Sequence, residues 1–326
     1  MKAWQMLKLG DPWKGLTIKE LDSPRVSRET VRIRVEATDL NFADILQSQG
    51  KYQIKVTPPF TPGLNSLGVV LEAGVNSEFK AGDRIVGPCV APYGGYAEEA
   101  ILLSQRCQRV PNELEAIQAM GAHVTHGTSW FALHQRAQLQ PGETVLVLAA
   151  AGGVGSAAVQ MARAHGCWVA AAASGQQKTA LCHQLGADLV IDYEIEDLYQ
   201  KVSEATDGRG VDVVYDPVGG DYFDIARRLV AFEGRLLVVG FASGRIPNAP
   251  MNHALVKNYS IVGVHMAAYR EKLPHLVSEC YEELHKYLLE GTYKAIVTDT
   301  IEFDALPIAL EQLANRSTTG RIVFTP

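Results

Sequence analysis

Carboxylates are missing from one long stretch of this chain: none occurs between Glu143 and Asp188. Cysteine is scarce, with five residues at positions 89, 107, 167, 182 and 280. They are odd in number, scattered and without any C-x-x-C pair, which excludes a disulfide framework and a structural zinc loop. No apolar run reaches the length of a membrane span, and the start MKAWQMLKLG lacks an apolar signal core. A cytoplasmic protein with no membrane partner is the expectation. Basic blocks and basic-aromatic stripes are absent, and 30 Lys and Arg against 36 Asp and Glu leave a net charge of -6. That balance argues against a nucleic-acid partner. Fixed-period repeats and low-complexity segments are absent too.

What remains is an ordinary globular composition, 47% hydrophobic and 20% charged over 326 residues. A chain of that length is long for one core, so two domains are expected. The most informative segment is VLVLAAAGGVGSAAVQMARAHGCWVAAAAS, from Val145 to Ser174. Val145 to Leu148 form a short apolar run suited to a parallel strand buried on both faces. The turn Gly152-Gly153-Val154-Gly155 follows. Val154, Ala157, Ala158, Met161 and Ala162 then keep an apolar face at helical spacing until Gly166, a left-handed stop. Gly153, Gly155 and Ala158 match the G-x-G-x-x-(G/A) spacing, and they sit between strand and helix as a dinucleotide turn requires. Exposed amides at the helix start hold the pyrophosphate in such a turn.

The gap in carboxylates falls where an NAD site usually places an Asp or Glu to bind the ribose hydroxyls, about 20 residues after the glycines. Here that position reads Ala173-Ser174-Gly175-Gln176-Gln177-Lys178. Hydroxyl and amide donors with one ammonium suit a 2'-phosphate. A charge-assisted bond from Lys178, about 1.5 to 3 kcal/mol, gives roughly tenfold to hundredfold discrimination. The expected cofactor is therefore NADPH.

Residues 1 to about 109 read as β-rich, with Val31, Ile33 and Val35 alternating with Arg32 and Arg34, and further strands at 69–71 and 84–86. Thr57 to Gly63 carries three prolines and reads as an extended loop. From about 111 to 262 strands and helices alternate: strand 168–173, helix 178–185, strands 189–191 and 211–215, helix 221–231, strand 235–239. Such alternation implies an α/β, doubly wound parallel sheet. The tail holds a helix over 273–289 and a final strand over 321–324, free to join either domain.

Several pieces together make the chain resemble the zinc-independent quinone oxidoreductases of the medium-chain dehydrogenase/reductase superfamily. They are Asn41-Phe42-Ala43-Asp44 with Gly50-Lys51-Tyr52, Phe60-Thr61-Pro62-Gly63, and Ala149 to Gly155 with Gln160. Tyr215-Asp216-Pro217-Val218-Gly219-Gly220, Gly240 to Gly244 and the closing Thr319 to Val323 complete the set. The resemblance implies a β-rich, barrel-like (GroES-like) catalytic domain from residues 1–120 and 263–326, flanking a Rossmann domain at 121–262. It also implies a nicotinamide contact at Thr128 and a cofactor contact at Tyr193, while the rule that ligands lie beyond the carboxyl ends of parallel strands implicates Gly240-Phe241-Ala242; Asn258 is a further candidate for approach to the cofactor. Where zinc-dependent relatives carry a cysteine and a histidine, this chain reads Thr38-Asp39-Leu40 and Gly63-Leu64-Asn65, so no metal is expected. His123 and His126, three apart, are better read as packing residues than as ligands.

With no metal, the substrate oxygen must be polarised by hydrogen-bond donors, and the resemblance points to Tyr52 and Asn41 as catalytic residues. A phenol stays protonated at neutral pH and donates as negative charge develops. The expected activity is NADPH-dependent hydride transfer to a small-molecule quinone or activated enone. An enoyl-thioester or enone reductase, a non-catalytic NADPH-binding protein and, more remotely, a zinc alcohol dehydrogenase remain open. Ser260-Ile261-Val262-Gly263-Val264 reads as an apolar edge strand, which invites pairing with another chain and implies a homodimer.

Overall fold

The computed structural model describes all residues except Arg316 and Thr319. Thr319, the first residue of the closing motif, therefore lies outside the described residues. The chain divides into two compact units, Met1–His123 with Ala295–Pro326, and Val124–Lys294. Residues 263–294 thus fall in the second unit and not with the β-rich domain to which the sequence reading assigned them. Their helix, Pro274–Leu289, buries Val277, Cys280, Tyr281 and Leu284. That stripe at helical spacing packs into the same core as Val145 and Val147, which is why it stays with the parallel sheet.

Six parallel strands build the second unit. Their spatial order is Leu189–Asp192, Trp168–Ala173, Thr144–Leu148, Val211–Asp216, Val230–Val238 and Ser260–Gly263. The order reverses between Thr144–Leu148 and Val211–Asp216, so the crevice at the carboxyl ends of those two strands is the topological switch point. Val145 and Val147 face one core, while Leu146 and Leu148 face the other. An unbroken apolar run thereby serves two layers of helices.

One stretch differs from the sequence reading. The helix expected over 221–231 stops early, as Gly220–Ala226, and Val230 already begins a strand. Val230 pairs with Val211, after which the register shifts so that Arg235 opposes Val213. Glu233 takes a left-handed φ of 59°, and a Cβ on Gly234 would sit 3.0 Å from the Asp212 carbonyl. The extra residues of this bulge disguised a strand as the end of a helix.

In the first unit, Lys2–Met6 pairs with Leu16–Glu20, and seven further strands form a mainly antiparallel sheet. Its central strand, Thr30–Asp39, pairs along its length with Asn65–Ala73. Its remaining partners are Glu99–Leu103 for Thr30 to Arg34 and Arg321–Phe324 for Thr38 and Asp39. The final strand therefore returns to this unit, on the strand that leads into Asn41. The proline-rich stretch is extended as expected: Phe60 is buried, and Gly63 has φ +104°, where a Cβ would meet the Gly95 amide nitrogen at 2.6 Å.

Candidate active site

The glycine turn leaves the sheet at Leu148, on the carboxyl side of the switch point. Ala149 takes a left-handed φ of 48° and its carbonyl accepts the Gly152 N–H at 2.9 Å. Helix Gly153–Ala164 begins there. A Cβ on Gly155 would lie 2.3 Å from the Ala149 carbonyl oxygen, so the turn closes only around a glycine. Helix geometry leaves the amides of Gly153, Val154 and Gly155 without a carbonyl one turn behind. Gly152, Gly153 and Val154 are only partly buried. Such a cradle fits the pyrophosphate of a dinucleotide.

Around that turn the carboxyl ends of the other strands carry the remaining expected residues. Ser174 follows Trp168–Ala173, and Lys178 stands half-buried on the next helix, Gln176–Gln184. Tyr193 donates its amide to the Ala173 carbonyl at 3.1 Å, and its ring packs on Tyr222 with centroids 4.8 Å apart. Phe241 belongs to a loop stitched to its neighbour: Ala242 N–H donates to the Pro217 carbonyl at 3.0 Å and Ser243 N–H to that of Val218 at 2.9 Å. Asp216, buried, holds the other loop by accepting the Val218 and Gly219 amides at 2.8 Å each. Burial raises its carboxyl above the usual range, against the pull of those two amides.

Thr128 lies half-buried near the end of helix Ala116–Trp130. Its neighbour Ser129 bonds to the glycine turn: Ser129 Oγ donates to the Val154 carbonyl at 2.9 Å. Sequence reasoning missed Ser129, which offered no motif beyond its place after Thr128. It also missed Asp192 and Tyr222. Asp192 Oδ1 accepts the Gly175 N–H at 3.0 Å, so the stretch that lacks carboxylates in sequence receives one in space, from the end of the next strand. Asn258 is not at the carboxyl ends. It caps helix Met251–Lys257 in a left-handed conformation and its carbonyl accepts the Glu233 amide at 3.0 Å, toward the amino ends of the strands.

Asn41 and Tyr52 belong to the first unit. Asn41 precedes helix Phe42–Ser48, and its N–H donates to Asp44 Oδ2 at 2.8 Å. Its side chain is engaged at both ends: Nδ2 donates to Asp39 Oδ2 and Oδ1 accepts from Arg321 at 3.1 Å. Arg321 also pairs with Asp39. Asp44 is buried, and its second oxygen accepts the Leu64 N–H at 2.9 Å. Burial and the nearby Asp39 charge push its carboxyl up to about 7. Tyr52 is half-buried, its amide bonded to the Leu46 carbonyl at 3.1 Å. Burial, then the Asp44 charge, raise its phenol.

These residues do not suit a catalytic zinc. Asp39 Oδ2 takes two donors and Asp44 one on each oxygen, and no group of three or more candidate ligands occurs among the described residues. His126 is buried against Thr125 and the Tyr293 ring, with its pKa lowered to about 4 by desolvation.

Residues 27–112 match the model of the alcohol dehydrogenase GroES-like domain, and 153–282 that of zinc-binding dehydrogenase. The quinone oxidoreductase-like protein 2 homolog of Nematostella vectensis is 36% identical, over 99% of this chain and 89% of the relative. The chain belongs to the quinone oxidoreductase-like family. This quinone oxidoreductase-like chain also resembles the crystal structure of Escherichia coli quinone oxidoreductase complexed with NADPH, with a TM-score of 0.88 at 26% identity over the whole of both chains. A 2-haloacrylate reductase from Burkholderia sp is 29% identical over 99% of this chain and 95% of the relative. The protein is thus an oxidoreductase of the medium-chain dehydrogenase/reductase superfamily, with a GroES-like and a Rossmann-type domain. No helix among the described residues is long and apolar enough to cross a membrane.

Proposed function

We propose that this protein catalyses the metal-free, two-electron reduction of a quinone by NADPH. The observation that carries the cofactor choice is the group of donors at the ends of the adjacent strands Trp168–Ala173 and Leu189–Asp192. Ser174, Lys178 and Tyr193 lie there; Asp192 Oδ1 is already satisfied by the amides of Gly175 and Glu194, and the Glu194 carboxylate, which comes within 3.9 Å of the Gly175 Cβ position, is on an exposed side chain. Gly152 to Gly155 would hold the pyrophosphate, Thr128 the nicotinamide end, and Phe241 would cover the cofactor from the stitched loop. Bound there, the cofactor supplies the hydride. The protein's own work is to orient and to manage charge.

Tyr52 stays protonated at neutral pH, because both burial and the Asp44 carboxylate oppose its ionisation. It donates a hydrogen bond to the quinone oxygen on which negative charge develops. Asn41 acts mainly through position, since Asp39 and Arg321 occupy its amide. The balance is one hydride from the cofactor and one proton from solvent, giving the hydroquinone and the oxidised cofactor. Loss of NADPH absorbance with a panel of quinones tests this reading. Turnover faster with NADPH than with NADH is expected, and tight NADPH binding without turnover on any acceptor overturns it.

A second reading has its own support, the likeness to a 2-haloacrylate reductase. On that reading the hydride goes to an activated carbon-carbon double bond, and enones outpace quinones in the same assay. We further propose a homodimer, paired through the outermost strand Ser260–Gly263, which has a neighbour on one side only.

A further inference from the structure

A chain of hydrogen bonds links three elements behind the glycine turn. Ser129 Oγ lies 2.9 Å from the Val154 carbonyl and 2.9 Å from the Tyr215 hydroxyl. Ser129 and Tyr215 are fully buried. A serine hydroxyl has one hydrogen, and a carbonyl can only accept. Ser129 therefore spends its hydrogen on Val154, and Tyr215 must donate to Ser129. The direction is fixed: Tyr215 to Ser129 to Val154. Burial raises the Tyr215 phenol, against a smaller downward pull from Ser129.

Each member comes from a different element. Tyr215 lies on strand Val211–Asp216, opposite Val147 of the strand that precedes the turn. Ser129 sits beside Thr128 on helix Ala116–Trp130. Val154 is the second residue of the helix whose first amides are unpaired. We propose that Ser129 is a positioning residue for the nicotinamide cofactor, holding the first turn of helix Gly153–Ala164 in register with the helix that carries Thr128, while Tyr215 fixes the direction of its hydrogen bond. This rests on the reading of the glycine turn as the cofactor cradle. Neither residue touches the cofactor on this account; Ser129 acts through the Val154 carbonyl and Tyr215 only on Ser129.

The donor order separates positioning from plain stability. Ser129→Ala strands a buried Tyr215 hydroxyl without an acceptor and also removes the bond to Val154. Tyr215→Phe leaves the Ser129 to Val154 bond intact. The double variant Ser129→Ala/Tyr215→Phe removes both hydroxyls, which leaves no buried hydroxyl unpaired and restores most of the stability lost in Ser129→Ala. The bond to Val154 is still missing from it.

The experiment is a fluorescence titration of NADPH, and of ADP-ribose as a probe lacking nicotinamide, alongside thermal unfolding of the same four proteins. Loss of one neutral hydrogen bond to the cradle weakens both ligands by roughly fivefold in Ser129→Ala. The double variant is expected to keep that weakening although its melting temperature recovers, and Tyr215→Phe to bind nearly as the parent does. Binding that follows the melting temperature through all four proteins, or that is unchanged in Ser129→Ala, overturns the proposal. If the parent protein itself binds neither ligand, the cradle reading fails first and the proposal with it.

Discussion

Single side chains decide most of what this site can do. Gly155 is the strictest, since a Cβ would lie 2.3 Å from the Ala149 carbonyl oxygen. Gly155→Ala is expected to abolish measurable NADPH binding by titration and to lower the melting temperature, because the obstacle is rigid backbone. Tyr52→Phe keeps the ring and removes the donor. If Tyr52 polarises the acceptor, kcat falls by on the order of a hundredfold in stopped-flow reduction while NADPH affinity holds. An unchanged kcat removes Tyr52 from the mechanism.

His126 gives a pH signature. Its folded-state pKa is depressed to about 4 from 6.5, so the neutral ring is the form that folding favours. Its contribution is intact above the unfolded value and is lost as pH falls from about 6.5 towards 4. Urea unfolding across that window should show the parent losing stability relative to His126→Phe, by up to about 3 kcal/mol. Parallel pH profiles would deny the burial cost. Asp44 runs the other way: its raised carboxyl favours the folded state at low pH, and that advantage is lost between 3.8 and about 7. The comparison must therefore be made against the variant and not on the parent alone.

At the scale of elements, legibility in the sequence tracked how local the determinants were. Strand Thr144–Leu148, its turn and helix Gly153–Ala164 were readable because apolar period, glycine spacing and the stop at Gly166 lie within one short segment. Only the second part of strand Val230–Val238 was read as strand, because the bulge in its first part is fixed by pairing with Val211 and Val213, residues that composition does not connect to it. The absence of carboxylates before Asp188 was real in sequence but not in space, because parallel strands bring Asp192 back beside Gly175. Asn41 was legible as a marked position, whereas its bonds to Asp39 and Arg321 depend on a strand from the far end of the chain. The outermost strand Ser260–Gly263 was read correctly as an edge. If it pairs two chains, light scattering should give twice the 35.5 kDa chain mass, and Ile261→Pro, which removes a backbone donor, should shift it towards the monomer. A monomeric parent removes the dimer.

For the whole molecule, the cofactor is the natural handle on stability. A ligand bound only by the folded chain, at a hundred times its dissociation constant, adds about 2.7 kcal/mol. NADPH should therefore raise the melting temperature by several degrees, and NADH at equal concentration by less if Lys178 reads the 2'-phosphate. Lys178→Ala should erase that difference without altering the melting temperature of the free protein. Equal shifts for both nucleotides in the parent would count against NADPH preference.

The two loops stitched together beyond Asp216 and Val238 bear on how fast the site fills. Their amides at Val218, Gly219, Ala242 and Ser243 are all bonded. Such amides should exchange with deuterium slowly although Phe241 beside them is exposed to solvent. A wall already ordered pays little entropy when the nucleotide arrives, so association should be quick, and the affinity for different nucleotides should be sorted by how long each one stays.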